Sequence, residues 1–117
     1  MDKAELEDRL IEFAVTIIDI INELPNTKAG SHLSGQLVRS GTSPALNYGE
    51  ARSAESRKDF IHKLQVVLKE LRESLVALKI ILKARLYKTD IKLKQALVEC
   101  NELISIFVKS VQTVNKR

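Results

Sequence analysis

Three polar residues in one segment of the chain are spaced so that their side chains could act together. Asn47 and Glu50 lie three residues apart, on one face if the segment is helical, and Arg39 precedes them by about two turns. A partly buried carboxylate needs a cationic partner, and Arg39, Arg52 or Arg72 could supply one through paired hydrogen bonds. These residues are predicted to form a polar contact between helices or subunits. A ligand-binding role is the alternative.

Residues suited to metal binding or catalysis are sparse. Di-iron helical bundles use Glu-x-x-His motifs with further carboxylates, and this chain has one near match, Asp59 with His62. His62 falls off the apolar positions of its segment and is predicted to face outward. The sequence lacks a glycine-rich phosphate loop, a nucleophile elbow and a Cys/His cluster. We therefore expect no catalytic residue, no metal and no cofactor; an enzyme would need a deep polar pocket around Asn47 and Glu50.

Basic residues gather in two groups and give the chain its net charge of +4, with 19 Lys and Arg against 15 Asp and Glu. The first group is Arg52, Arg57, Lys58 and Lys63, and the second is Lys79, Lys83, Arg85, Lys88, Lys92 and Lys94. Such groups predict salt-sensitive contact with the phosphates of nucleic acid. Because few aromatic residues are present to stack bases, structured RNA is the expected form. A merely solvated basic surface is the alternative.

The elements that must position these residues are predicted to be helices of one domain spanning residues 1–117. The chain is 44% hydrophobic but only 4% aromatic, so the core is expected to be aliphatic. Its 4 Gly and 2 Pro are too few for the turns of an all-β fold. A single cysteine fits a reducing compartment, and no apolar run reaches membrane-spanning length. A cytoplasmic protein without membrane contact is expected.

Apolar periodicity predicts helices over residues 3–24, 31–52, 54–87 and 89–115. Asp2 with Glu5, and Ser56 with Asp59, have the spacing of helix-capping pairs. Cys100 lies on an apolar stripe and is predicted to be a core residue rather than a nucleophile. With short connections between the helices, the predicted fold class is all-α, an antiparallel up-down-up-down four-helix bundle.

The second helix combines small residues with a proline. Gly41, Ala45 and Gly49 occupy predicted inward positions, where small side chains let a neighbouring helix approach closely. Pro44 lacks an N–H and would leave the carbonyl of Ser40 without its helical partner. The helix is therefore predicted to be kinked near Pro44, and a break followed by a capped restart is the alternative.

Two helices carry more apolar residues than one face of a bundle needs. The first helix has a second stripe of Ile11, Val15 and Ile18. The fourth helix has additional apolar residues at Ala96, Leu103 and Ile106. The surplus predicts a homo-oligomer, and a thicker core is the alternative.

The run from Gly35 to Ser74 resembles the family called four helix bundle proteins, whose first members are encoded in intervening sequences of bacterial 23S ribosomal RNA genes. Its motif begins L-x-R-[SA]-[GA]-x-S, continues with N-[IVY]-A-E-[AG] and then [DE]-F-[IL]-x-x-L, and ends with a later L-x-E. The matching positions are Leu37, Arg39, Ser40, Gly41, Ser43, Asn47, Tyr48, Glu50, Ala51, Asp59, Phe60, Ile61, Leu64, Leu68 and Glu70. The chain departs from the family pattern at two positions: Pro44 stands where the family usually has a β-branched residue, and Gly49 stands where it usually has Ala.

The resemblance implies an up-down bundle that assembles into rings, commonly pentamers, and it implies no known catalytic activity. The chain is also distantly similar to the accessory protein of diversity-generating retroelements, a basic pentameric bundle that binds a reverse transcriptase and nucleic acid. The expected function is a non-enzymatic homo-oligomeric scaffold or accessory factor with RNA contact. The alternative is an adaptor for one protein partner without nucleic-acid contact. Helix packing or subunit contact is expected at Arg39, Gly41, Ala45, Asn47 and Glu50.

Overall fold

Four helices form the computed structural model, which describes residues 1–116. They are α1 (Lys3–Asn22), α2 (Lys28–Arg52), α3 (Arg57–Lys83) and α4 (Asp90–Asn115). Residues 1–116 contain no strand, so the predicted all-α bundle is confirmed. The bundle measures 46 × 21 × 21 Å, and its long axis follows from α3, whose 27 residues span about 40 Å at 1.5 Å per residue.

Capping residues explain where the helices begin and where the predicted bounds were wrong. The backbone N–H of Glu5 donates to Asp2 Oδ1 at 2.8 Å, and that of Asp59 donates to Ser56 Oγ at 3.0 Å, as the spacing predicted. Helix α3 thus begins at Arg57 rather than at residue 54, because Ser56 is its cap. Helix α2 begins three residues earlier than predicted, because Thr27 Oγ1 accepts a hydrogen bond from a backbone N–H of the first turn.

Helix α2 continues through Pro44 without interruption, so the predicted alternative of a break and restart is wrong. Polar side chains on the same helix bond to its backbone on either side of the proline. Thr42 Oγ1 donates to the carbonyl of Val38 at 2.6 Å, and Asn47 Nδ2 donates to that of Ser43 at 3.0 Å. These side-chain bonds flank the position at which Pro44, which has no N–H, removes one backbone hydrogen bond from the helix. The kink near Pro44 stays a prediction.

Each helix packs against its neighbours in sequence, and α4 also returns to α1. Among residues 1–116 the backbones of the diagonal pairs, α1 with α3 and α2 with α4, do not come close to each other, and these helices meet only through side chains such as Tyr48 and Phe107. The linkers at residues 23–27, 53–56 and 84–89 are short. This cyclic order fits the predicted up-down-up-down arrangement. It also means that the outward faces of α1 and α3 point in different directions.

The core is largely aliphatic, with a small aromatic contact near one end. The ring of Tyr48 meets that of Phe107 edge to face, with centroids 5.5 Å apart. Cys100 is fully buried and its Sγ donates to the carbonyl of Leu71 at 3.2 Å. Burial raises the pKa of this thiol to about 12, as burial of a charged thiolate is unfavourable. The prediction that Cys100 is a core residue is confirmed.

The apolar surplus predicted on α4 belongs to the core. Ala96 and Leu103 are buried, and Ile106 is partly buried against the same cluster. They were predicted to mark a subunit contact, and that interpretation is wrong for α4 because its buried face is wider than a single heptad line. The second stripe of α1 remains exposed. These α1 residues are therefore the additional apolar side chains that the core of the bundle does not bury.

Candidate functional site

Arg39 ties α2 to α3 through two carboxylates. Its Nη1 donates to both oxygens of Glu70 at 3.1 and 3.2 Å, and its Nη2 donates to Glu73 Oε2 at 2.9 Å. Beside it, Ser74 Oγ donates to Ser40 Oγ at 2.9 Å, with both residues buried. The expected polar contact around Arg39 therefore lies between two helices of one chain. The two acids that bind Arg39 lie one helical turn apart on α3. The spacing of residues within α2 could not indicate these partners.

The structure does not bring Asn47 and Glu50 to Arg39. Asn47 Nδ2 donates to the carbonyl of Ser43 and to its hydroxyl, both within α2. The carboxylate of Glu50 is exposed and accepts from Lys63 Nζ at 3.2 Å. The predicted joint action of these residues fails because Asn47 is used by its own helix and Glu50 lies at the bundle surface.

Gly41 allows α1 and α2 to approach each other closely, as its small size predicted. A Cβ atom placed on Gly41 would lie 2.7 Å from Ile17 Cγ2 of α1. Ala45 is partly buried against the core. Gly49 differs, because a Cβ atom placed there would meet nothing within 4 Å. Its predicted role as an inward packing residue is wrong, since it lies on the outer side of α2 where no helix covers it.

Glu70 is the one acidic residue that is buried among residues 1–116. The residue is only 8% exposed. Burial, with the neighbouring charge of Glu73, raises its pKa above the ordinary value despite the opposing effect of Arg39. Glu73 shows the opposite shift: its pKa is lowered, chiefly because it accepts a hydrogen bond from Arg39. The two acids that share Arg39 therefore have pKa values shifted in opposite directions.

Replacing Glu70 by glutamine is expected to stabilise the protein at pH 7. A raised folded-state pKa means that the native state favours the neutral carboxyl, so its charge costs stability as pH rises through that pKa. We expect a gain below about 1 kcal/mol for Glu70→Gln, because Arg39 loses a partner at the same time. The gain should vanish near pH 3.5, where the glutamate is protonated in both states. Urea unfolding at the two pH values measures it.

Glu73→Gln is the matched control for this prediction. The lowered pKa of Glu73 means that its charge stabilises the native state above its ordinary pKa and that this contribution is lost as pH falls. Glu73→Gln is therefore expected to destabilise the protein at pH 7. Shifts of the same sign in both variants at pH 7 would contradict the assignment.

A shallow groove of about 830 Å³ runs along the outer edge of α2 and α3, beside the Arg39 cluster. Its walls include Leu33, Arg39, Lys69, Arg72, Val76 and Ile80. Sequence reasoning missed it, because its two sides come from positions far apart in the chain. The exposed Val76 and Ile80 were the available signal, since they break the polar outer face of α3.

Two of the four residues in the first basic group form ion pairs within the chain. Arg52 binds Glu7 of α1 at 2.8 Å, and Lys63 binds Glu50. Arg57 donates to the carbonyl of Val114. Of this group, Lys58 is exposed and makes no ion pair within residues 1–116. Arg52 and Lys63 are thus already paired with acids, and the role predicted for this group in nucleic-acid contact stays a prediction.

The second basic group is partly neutralised by an acid that sequence proximity did not indicate. Glu23, in the linker before α2, binds Lys88 Nζ at 2.7 Å and Lys92 Nζ at 3.8 Å. Tyr87 also donates to Glu23 at 2.7 Å, and burial with this carboxylate raises the pKa of Tyr87 to about 12. Lys94 approaches Asp90 at 3.9 Å.

Three residues of the second group remain exposed without an ion pair in the part of the chain described. They are Lys79, Lys83 and Arg85. Lys79 and Lys83 lie in the last turns of α3 and Arg85 follows its end, where cations also oppose the negative end of the helix dipole. Within the described residues, the exposed cations of the two groups that make no ion pair are fewer than the predicted ten residues: Lys79, Lys83 and Arg85 lie at one end of the bundle, and Arg57 and Lys58 lie at the other.

Arg85 ends α3 in a left-handed conformation, with φ of 55°. The N–H of Leu86 donates to the carbonyl of Ile81 at 3.1 Å, and that of Arg85 donates to Leu82 at 3.2 Å. This pattern is a Schellman motif, in which glycine is the favoured residue at the left-handed position. An arginine there carries a conformational cost. Strained residues of this kind cluster at functional sites.

Residues 1–116 contain no group of three or more His, Cys, Asp or Glu side chains arranged to hold a metal ion. His62 is exposed, as its position off the apolar stripe predicted. Within the same residues, no helix combines the length and the hydropathy needed to cross a membrane.

Comparison with known proteins places the chain in a family. A family model described as "23S rRNA-intervening sequence protein" matches residues 3–109. The chain is similar to a crystal structure of a protein with unknown function from the S23 ribosomal protein family of Bacteroides thetaiotaomicron. That likeness has a TM-score of 0.85 at 30% identity and covers 96% of this chain and 99% of the other. No curated protein matches the chain. Because the family model spans almost all of the bundle, this protein belongs to the 23S rRNA-intervening sequence protein family.

Proposed function

We propose that this protein is a non-enzymatic homo-oligomer, a pentameric ring by its resemblance to the family, that acts as a scaffold or accessory factor and binds structured RNA. Assembly is the primary part of the proposal, and RNA contact depends on it. The supporting observation is an aliphatic stripe on α1 that the bundle leaves uncovered.

The stripe consists of Ile11, Val15 and Ile18, which are 43%, 48% and 39% exposed. The three residues follow one another at helical spacing and so form one continuous surface. Covering apolar area of this kind contributes roughly 25 cal/mol per Å². The stiff β-branched side chains also lose little conformational freedom when a neighbour covers them. A second subunit is the simplest cover for a stripe of this kind.

RNA contact is assigned to the unpaired cations Lys79, Lys83 and Arg85. Three cations in one subunit give weak binding to phosphates, but a ring repeats them in every subunit and so multiplies the contacts. Arg85 supports this assignment, because it occupies a backbone position at which glycine is favoured. A residue that costs stability and places a charge in solvent suggests a role in binding.

Arg85→Gly is expected to separate stability from binding. Glycine adopts the left-handed conformation without the cost of a Cβ atom, so the free energy of unfolding should rise by about 0.5–1 kcal/mol. RNA affinity should fall several-fold, and its dependence on salt concentration should become weaker. Urea unfolding and a salt titration against a structured RNA measure the two effects.

Lys58→Gln is the matched control for binding, because it removes an exposed, unpaired cation at the opposite end of the bundle. It should leave RNA affinity unchanged. Equal losses of affinity in the two variants would contradict a localised RNA surface. Absence of RNA binding by the unaltered protein at low salt would favour the alternative, an adaptor for one protein partner.

A further inference from the structure

The outward face of α1 combines apolar and acidic side chains. The α1 acidic face consists of Asp8, Ile11, Glu12, Val15, Ile18 and Asp19, all exposed. Its three acids make no ion pair within residues 1–116, whereas Glu7 of α1 and Glu23 of the following linker do. The charge of this face is therefore available to a partner, and its aliphatic stripe needs one.

The α2–α3 groove has the opposite charge. Lys69 and Arg72 are exposed on its wall and make no ion pair within residues 1–116. The acids beside them, Glu70 and Glu73, are already bound to Arg39. Val76 and Ile80, on the same wall, are 56% and 47% exposed. The groove thus offers unpaired cations next to uncovered aliphatic side chains.

The two surfaces lie on adjoining sides of the bundle, and both border α2. Ile11 follows Glu7 by one helical turn on the same face of α1, and Glu7 reaches Arg52 of α2. Ile11 therefore lies on the side of the acidic face nearer to α2, whereas Glu12 borders Glu99 of α4 on the other side. The groove lies between α2 and α3. Since α1 and α3 are diagonal in the bundle, one copy cannot join these surfaces itself.

We propose that the α1 acidic face of one copy docks into the α2–α3 groove of the next copy. Asp8, Glu12 and Asp19 would then meet Lys69 and Arg72, and the aliphatic stripe would cover Val76 and Ile80. This inference rests on the proposed function, a homo-oligomer, and specifies which two surfaces form the contact between copies. A contact between two different surfaces is head-to-tail, and it gives a closed ring when the rotation between copies closes. Because α2 lies between the two surfaces in the order of helices, that helix would line the inner side of the ring.

Charge reversal tests the contact. The acid variant reverses two residues of α1, Glu12→Lys with Asp19→Lys. The base variant reverses two residues of the groove, Lys69→Glu with Arg72→Glu. Each alone places like charges opposite each other, so its mass by light scattering should fall to the 13.2 kDa of one chain. The variant carrying all four changes restores opposite charges and should recover the mass of the unaltered assembly.

Lys94→Glu with Lys109→Glu is the matched control, because it reverses two exposed cations of α4, which the proposed contact leaves outside. It should keep the assembled mass. Assembly that persists in both single-surface variants, or that the four-change variant fails to recover, overturns this contact while the proposed oligomer stands. A monomeric unaltered protein overturns both.

Discussion

Replacing Gly41 by leucine is expected to lower the free energy of unfolding by about 3 kcal/mol, at the upper end of overpacking effects. A Cβ atom at this position would already lie 2.7 Å from Ile17 Cγ2 and 2.8 Å from its Cγ1. These atoms belong to the base of a fully buried β-branched side chain, which cannot rotate away cheaply. Helix α1 must therefore move off α2. For 117 residues, the expected fall in Tm is roughly 12 °C.

Gly35→Ala is the control for the Gly41 prediction. Gly35 lies in the same helix, but an added Cβ atom would meet nothing within 4 Å. The protein should become more stable by about 0.5–1 kcal/mol, because alanine has the higher helix propensity. Thermal unfolding of both variants measures the contrast. A Gly41→Leu protein as stable as the unaltered one would contradict the close contact between α1 and α2.

Replacing Phe107 by alanine is expected to lower the free energy of unfolding by about 3–5 kcal/mol. Phe107 is fully buried on α4 and supplies one of the two rings in the edge-to-face contact with Tyr48 of α2. In a core built mostly from aliphatic side chains, few neighbours can move into the space that a phenyl ring leaves. Denaturant unfolding measures the loss through the midpoint of the transition.

Val98→Ala is the control on the same helix. Val98 is among the exposed apolar residues of α4, so its truncation should change the free energy of unfolding by less than about 0.5 kcal/mol. Comparable losses for Phe107→Ala and Val98→Ala would show that the inward face of α4 has been assigned wrongly.

Much of the fold was predictable because helix periodicity and capping are local. The Leu, Ile and Val stripes indicated four helices, and the capping pairs that begin at Asp2 and Ser56 were identified correctly, although the start of α3 was placed at residue 54. The end of α3 was predicted too late, at residue 87, because a left-handed Arg85 is not the glycine that usually marks such an end. The start of α2 was predicted too late because the role of Thr27 as a cap was not recognised.

Contacts between helices were harder to predict, because a single sequence does not say which polar side chains meet. Arg39 was identified, but its partners Glu70 and Glu73 lie on another helix. The second basic group was overestimated, because Glu23 of a distant linker neutralises Lys88 and Lys92. The exposed stripe of α1 was found correctly, since three aliphatic residues at helical spacing exceed the needs of one core face.

The central claim is that this bundle assembles head-to-tail, with α1 of one copy against α2 and α3 of the next. Light scattering of the unaltered protein at physiological salt tests it most directly. Because a head-to-tail contact closes only with three or more copies, the claim predicts a single species with a mass of at least three 13.2 kDa chains. A mass of one or two chains at the same concentration would contradict it.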